Sequence, residues 1–117
     1  MIIEKKYDHA VEILRFTVKE DLVEKFIAHD HEIWTKELAK VDGFISKDVW
    51  INKNKPGEIT TVIYWETLEK WKSINHKILE ETDTLFNTLI GKGNFSLEGL
   101  HENNDYYRVL NTIKIAE

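Results

Sequence analysis

Apolar residues along this chain switch between a period of two and a period near 3.6 in the order β-α-β-β-α-β, and that order limits the possible folds more than anything else. Ala10 to Val18 alternates, with Leu14, Phe16 and Val18 on one face and Val11, Ile13, Arg15 and Thr17 on the other. From Lys19 to Val41 the period becomes helical. At about 100° per residue, Leu22, Val23, Phe26, Ile27, Ile33, Trp34, Leu38 and Val41 gather in one broad stripe. Asp42-Gly43 ends that helix. Phe44 to Asn52 is a second strand, with Phe44, Ser46, Asp48 and Trp50 opposite Ile45, Lys47, Val49 and Ile51. The turn cluster NKNKPGE joins it to a third strand, Ile59 to Glu66, as a hairpin. Thr67 caps a second helix, apolar on one face from Leu68 and Trp71 to Leu89, with a kink near Asn75. Lys92 to Asp105 lacks periodicity and reads as a long loop; Tyr106 to Ile115 is the last strand.

Two helices cover only one face of a four-stranded sheet, yet the strands carry large apolar side chains on both. The expectation is therefore one α+β domain over residues 1–117, a βαββαβ sandwich with an antiparallel sheet, whose second face meets another copy in a homodimer.

Composition narrows the function classes. Hydrophobic residues at 42% and charged residues at 32% fit a soluble globular protein. A net charge of −5 repels phosphate backbones, so nucleic acid is not an expected partner. Cysteine is absent, which removes disulfides, thiolate metal sites and thiol nucleophiles together. No run reaches membrane-spanning length and the N-terminal apolar stretch is too short for a signal peptide, so the expected location is cytoplasmic, away from membranes.

No Ser-His-Asp set, phosphate loop or paired-carboxylate motif is present, so the catalytic residues stay unassigned. His29 and His31 look like a metal pair, but two positions apart on a helix is about 200° around the axis, and Thr35 stands where HExxH needs its second histidine. Neither a metal nor a cofactor is expected. His76 and His101 are isolated and expected in solvent. Asp30 falls near the centre of the first helix's apolar stripe, where a lone carboxylate is costly. It is expected to be buried and paired with Lys47, whose strand neighbours Ile45 and Val49 mark a helix-facing side; a functional account makes it a proton acceptor. Trp34 and Trp71 fall on the core stripes. Trp50 and Trp65 are placed beside Arg15 on the sheet face away from the helices, where they would either hold a flat ligand or fill the dimer interface.

Gly43-Phe44 opening the second strand, Trp65-Glu66-Thr67 closing the third, and the segments IWTKELAKVDGFISKDVWIN and VIYWETLEKWKSI resemble the dimeric α+β barrel superfamily. The similar branch is the antibiotic-biosynthesis-monooxygenase-like proteins, and the resemblance runs from about Ala10 to Ile90. It implies a ferredoxin-like domain whose two copies close a barrel, with ligands between sheet and helices or inside the barrel. It also implies oxidation of polycyclic aromatic compounds with oxygen and no cofactor, or haem binding, or no activity. Trp65 matches the tryptophan of the family's W-E-S/T corner; His76 lies about two positions later than the histidine that often follows. The resulting expectation is a small-molecule enzyme or binding protein of monooxygenase-like type, holding an aromatic or apolar ligand near Trp65, Trp50 and Arg15. The alternative is a non-catalytic dimerising or stress-related module.

Overall fold

Alternation in the strands and the broad apolar stripes of the helices fold as an antiparallel sheet with helices on one face, in a computed structural model that describes residues 1–6, 9–99 and 106–115. Strand β2 (Ala10–Val18) is central, as its two apolar faces require. It pairs along its length with β4 (Glu58–Trp65), which pairs in turn with the edge strand β3 (Phe44–Ile51). The other side of β2 takes β5 (Phe95–Gly99) and then the two-residue β6 (Tyr107–Arg108). The sheet order β3-β4-β2-β5, all neighbours antiparallel, is the ferredoxin-like arrangement.

Two expectations about the ends of the chain are corrected. The strand that completes the sheet is β5, inside the stretch read as a loop. Its alternation of Phe95 and Leu97 with Ser96 and Glu98 spans too few residues to register as a period, and Phe95 is held by Phe16, Phe26 and Phe86, with ring centroids 5.4–6.2 Å away. The last strand divides instead. Asn111–Ile115 (β7) leaves the sheet and pairs with β1 (Ile2–Lys6), an N-terminal strand that the sequence did not reveal, in a separate two-stranded ribbon.

The first helix begins as a 3-10 turn (Glu20–Leu22), runs as α1 (Val23–His29), widens into a π segment (Asp30–Thr35) and closes as α2 (Lys36–Leu38). Gly43 ends the connection to β3 at φ +96°, and a Cβ there would stand 2.6 Å from the Lys70 Cβ, so both conformation and space call for glycine. The second helix breaks where the kink was expected. Thr67 Oγ1 accepts from the Lys70 amide to cap α3 (Leu68–Lys72), and Asn75 Oδ1 accepts from the Lys77 amide to cap α4 (His76–Ile90).

The core forms two clusters between helices and sheet. One gathers Phe16, Phe26, Ile33, Ile59, Phe86 and Ile90; the other gathers Ala10, Leu38, Ile63, Trp65 and Trp71. A bulge between Phe44 and Ser46 corrects the strict alternation expected of β3: Phe44 turns to the helix side, edge-on to Trp65. No helix among the described residues is long and apolar enough to cross a membrane.

Candidate functional site

Between the two core clusters lies a cavity of about 600 Å³. Its sheet wall is Leu14, Phe16, Thr61, Ile63 and Leu97; its helix wall is Trp34, Leu38, Trp71, Leu79 and Phe86. Exposed Lys72, His76, Glu80 and Asp83 line its solvent side. The surface of the lining is mostly apolar, which suits an apolar organic molecule rather than a metal or a sugar. Among the described residues no group of three His, Asp or Glu is arranged to hold a metal ion.

Deeper in the wall sits an ion pair. Lys47 Nζ donates to Asp30 Oδ2 at 2.7 Å and to Thr35 Oγ1 at 2.9 Å, and the Lys47 and Asp30 side chains are only 4% and 7% exposed. The helix shape makes this possible. In an α-helix, positions five apart are about 140° apart around the axis, so Asp30 and Thr35 could not serve one ammonium. The wider π turn brings them to the same side. Strand parity supplies the other partner, because Lys47 lies opposite Ile63 on the helix-facing side of the sheet.

Thr61 is 1% exposed, lines the same cavity, and its Oγ1 has no hydrogen-bond partner among the described residues. Glu12, also on the lining, accepts from Trp65 Nε1 at 3.3 Å.

Trp65, Trp50 and Arg15 do not form the common space expected of them. Trp65 pairs with Ala10 and so faces the helices, fully buried behind the cavity wall rather than on its surface. Trp50 and Arg15 flank Thr60 in one row on the opposite face, where Trp50 is 52% exposed and Arg15 Nε lies 3.8 Å from Glu58. Also on that outer face, the Tyr64 hydroxyl donates to Asp48 at 3.5 Å. Burial, with the Asp48 charge adding to it, raises the phenol above its usual ionisation range. The residues that do line the cavity and that the sequence left in the core or in solvent are Trp34, Trp71 and His76. Their stripe positions identified a buried face; only the packing shows that the face leaves a space.

A family model described as antibiotic biosynthesis monooxygenase matches residues 10–76, more than half of the chain. No curated protein matches. Among solved structures, SnoaB, a cofactor-independent oxygenase from Streptomyces nogalater, is 14% identical with a TM-score of 0.54, over 94% of both chains. A protein of unknown function from Bacteroides thetaiotaomicron is 16% identical with a TM-score of 0.59, over 87% of this chain and 98% of that one. A protein from Methanosarcina mazei is 17% identical with a TM-score of 0.57, over 79% and 92%. At these identities the structural likeness speaks for the fold alone.

Proposed function

This chain belongs to the antibiotic biosynthesis monooxygenase family, and from that premise we propose that it binds a flat, largely apolar aromatic molecule in the cavity between helices and sheet and oxidises it with molecular oxygen. The observation that carries this reading is the cavity itself: about 600 Å³, apolar, flanked by the indoles of Trp34 and Trp71, with one buried ion pair in its wall. Without a cofactor, the electrons come from the ring. A hydroxylated ring becomes a quinone when a ring C–H and the O–H give up their hydrogens; one atom of O₂ becomes the new carbonyl oxygen and the other leaves as water. The protein's part is to hold the ring, exclude water and polarise the hydroxyl oxygen.

The working form in this proposal is a homodimer. Support comes from apolar groups without cover in one copy: Trp50 on the outer sheet face, and Ile2, Ile113 and Ile115 on one face of the terminal ribbon. An isolated two-stranded ribbon is marginal in water, so a second copy is its natural support.

Titration with 1-naphthol and anthracene, read by tryptophan fluorescence, tests the binding. Quenching is expected, and Trp71→Ala should weaken it about tenfold through lost apolar burial and stacking. Oxygen uptake with bound 1-naphthol tests the chemistry. Binding without uptake would favour a non-catalytic module; no binding by either compound would reject the site.

A further inference from the structure

We propose that Glu12 forms a cation-binding subsite on the sheet wall of the cavity, so that the ligand is an aromatic compound carrying a protonated amine. This rests on the cavity being the ligand site, as proposed above, and it names the ligand's chemical class.

Glu12 stands on the helix-facing side of the central strand β2, opposite Ile63, and lines the cavity. A carboxylate there departs from the pattern of the strand, whose other helix-facing residues are Ala10, Leu14, Phe16 and Val18. Its Oε1 accepts from Trp65 Nε1 at 3.3 Å, and the fully buried indole fixes that oxygen. An indole N–H is served as well by a neutral carbonyl oxygen, so this bond does not call for a charge. A carboxylate offers about four acceptor positions on its two oxygens, so holding the indole does not prevent it from taking a ligand's N–H groups.

The charges around the cavity favour a cation. Lys47 and Glu12 flank Ile63 in one row across three strands, about 9–10 Å apart at the backbone. Lys47 is held by Asp30 at 2.7 Å, so that ion pair is closed on itself. Among the described lining residues, Glu12, Asp30, Glu80 and Asp83 stand against Lys47, Lys72 and His76, which leaves a negative excess whichever form the imidazole takes. Such a lining draws cations in and turns anions away. Glu12 is half-buried, where salt screens the attraction less than at the exposed mouth. The aromatic wall suits a cation too: Trp71 already takes an ammonium over its ring, with Lys72 Nζ 4.3 Å from the centre. The cation is organic rather than a metal ion, because among the described residues no group of three His, Asp or Glu is arranged to hold one. An amine on an aromatic skeleton meets both halves of the cavity, its ring against the apolar walls and its N–H groups on Glu12.

The test is calorimetric titration near pH 8, at low salt, with three naphthalenes that differ in one substituent. They are 1-naphthylmethylamine, a cation, 1-naphthylmethanol, which is neutral, and 1-naphthoate, an anion. Wild type should bind the amine about tenfold tighter than the alcohol, and the acid least well. Glu12→Gln, whose amide oxygen still accepts from Trp65, should bring the amine within about twofold of the alcohol and leave the alcohol unchanged. A second readout needs no variant: a water-soluble carbodiimide added to wild type with 1-naphthylmethylamine should couple the amine to the Glu12 carboxyl as an amide, located by peptide mass spectrometry. Equal binding of amine and alcohol, an amine preference that survives Glu12→Gln, or coupling that spares Glu12 would overturn the subsite and spare the cavity. Binding of none of the three would reject both.

Discussion

Replacing Asp30 by alanine should be one of the more damaging single changes in this protein, and its size follows from the surroundings of Lys47. The Lys47 side chain is 4% exposed and its shortest hydrogen bond is to Asp30. Removing one member of a buried pair leaves the other charge uncompensated, typically at about 3–5 kcal/mol. Here Thr35 keeps one hydrogen bond to the ammonium and the adjoining cavity admits water, so about 2–3 kcal/mol is expected. With a urea m-value of about 1.5 kcal/mol/M, the midpoint should fall by about 1.3–2 M. Protein concentration must be held fixed, because a dimer's stability depends on it. Lys47→Met should cost a similar amount by stranding the carboxylate. The double variant, which removes both charges, should recover about 2 kcal/mol relative to the sum of the two. Additive losses, or an Asp30→Ala protein within 0.5 kcal/mol of wild type, would refute the argument that the pair is buried and coupled.

Other expectations follow from single positions. Trp65→Ala should cost about 3–5 kcal/mol, as for a buried aromatic, yet leave 1-naphthol affinity per folded molecule unchanged, because Trp65 lies behind the cavity wall; denaturant melts and fluorescence titration of the folded fraction check both. Tyr64, whose phenol is raised by burial and then by Asp48, should ionise later than an ordinary tyrosine in an absorbance titration, and Asp48→Asn should bring it part way back. Its neutral form is favoured by the fold, so its contribution to stability is intact below about pH 10 and is lost as pH rises through the raised value. Ile113→Asp with Ile115→Asp should turn a dimer into a monomer at micromolar concentration by light scattering; a wild-type protein that runs at one chain mass would remove the dimer from the proposal.

What the sequence made legible was whatever depends on local period. Strand β2 occupies the residues its alternation marks, and the break at Asn75 lies where the helical stripe loses phase. The helical wheel set Asp30 inward and strand parity set Lys47 toward the helices; the two meet at 2.7 Å. The π segment was not legible, because its single extra residue per turn leaves no mark on the wheel, and with it Thr35 was missed as the second acceptor. Register was likewise hidden. Alternation divides Trp65 from its own neighbours, but only the pairing of Ala10 with Trp65 says which face it shares with β2, and it is not the face of Arg15. Periodicity could not show the cavity, since an apolar stripe looks the same whether it packs tightly or leaves room for a ligand; only the family resemblance implied a ligand between sheet and helices.

A crystal structure of the protein with 1-naphthol bound tests the central claim most directly. The account predicts the ring between the sheet wall at Leu14 and Ile63 and the indoles of Trp34 and Trp71. A ring seated on the outer sheet face beside Trp50 and Arg15, with the inner cavity closed by side chains, would contradict it.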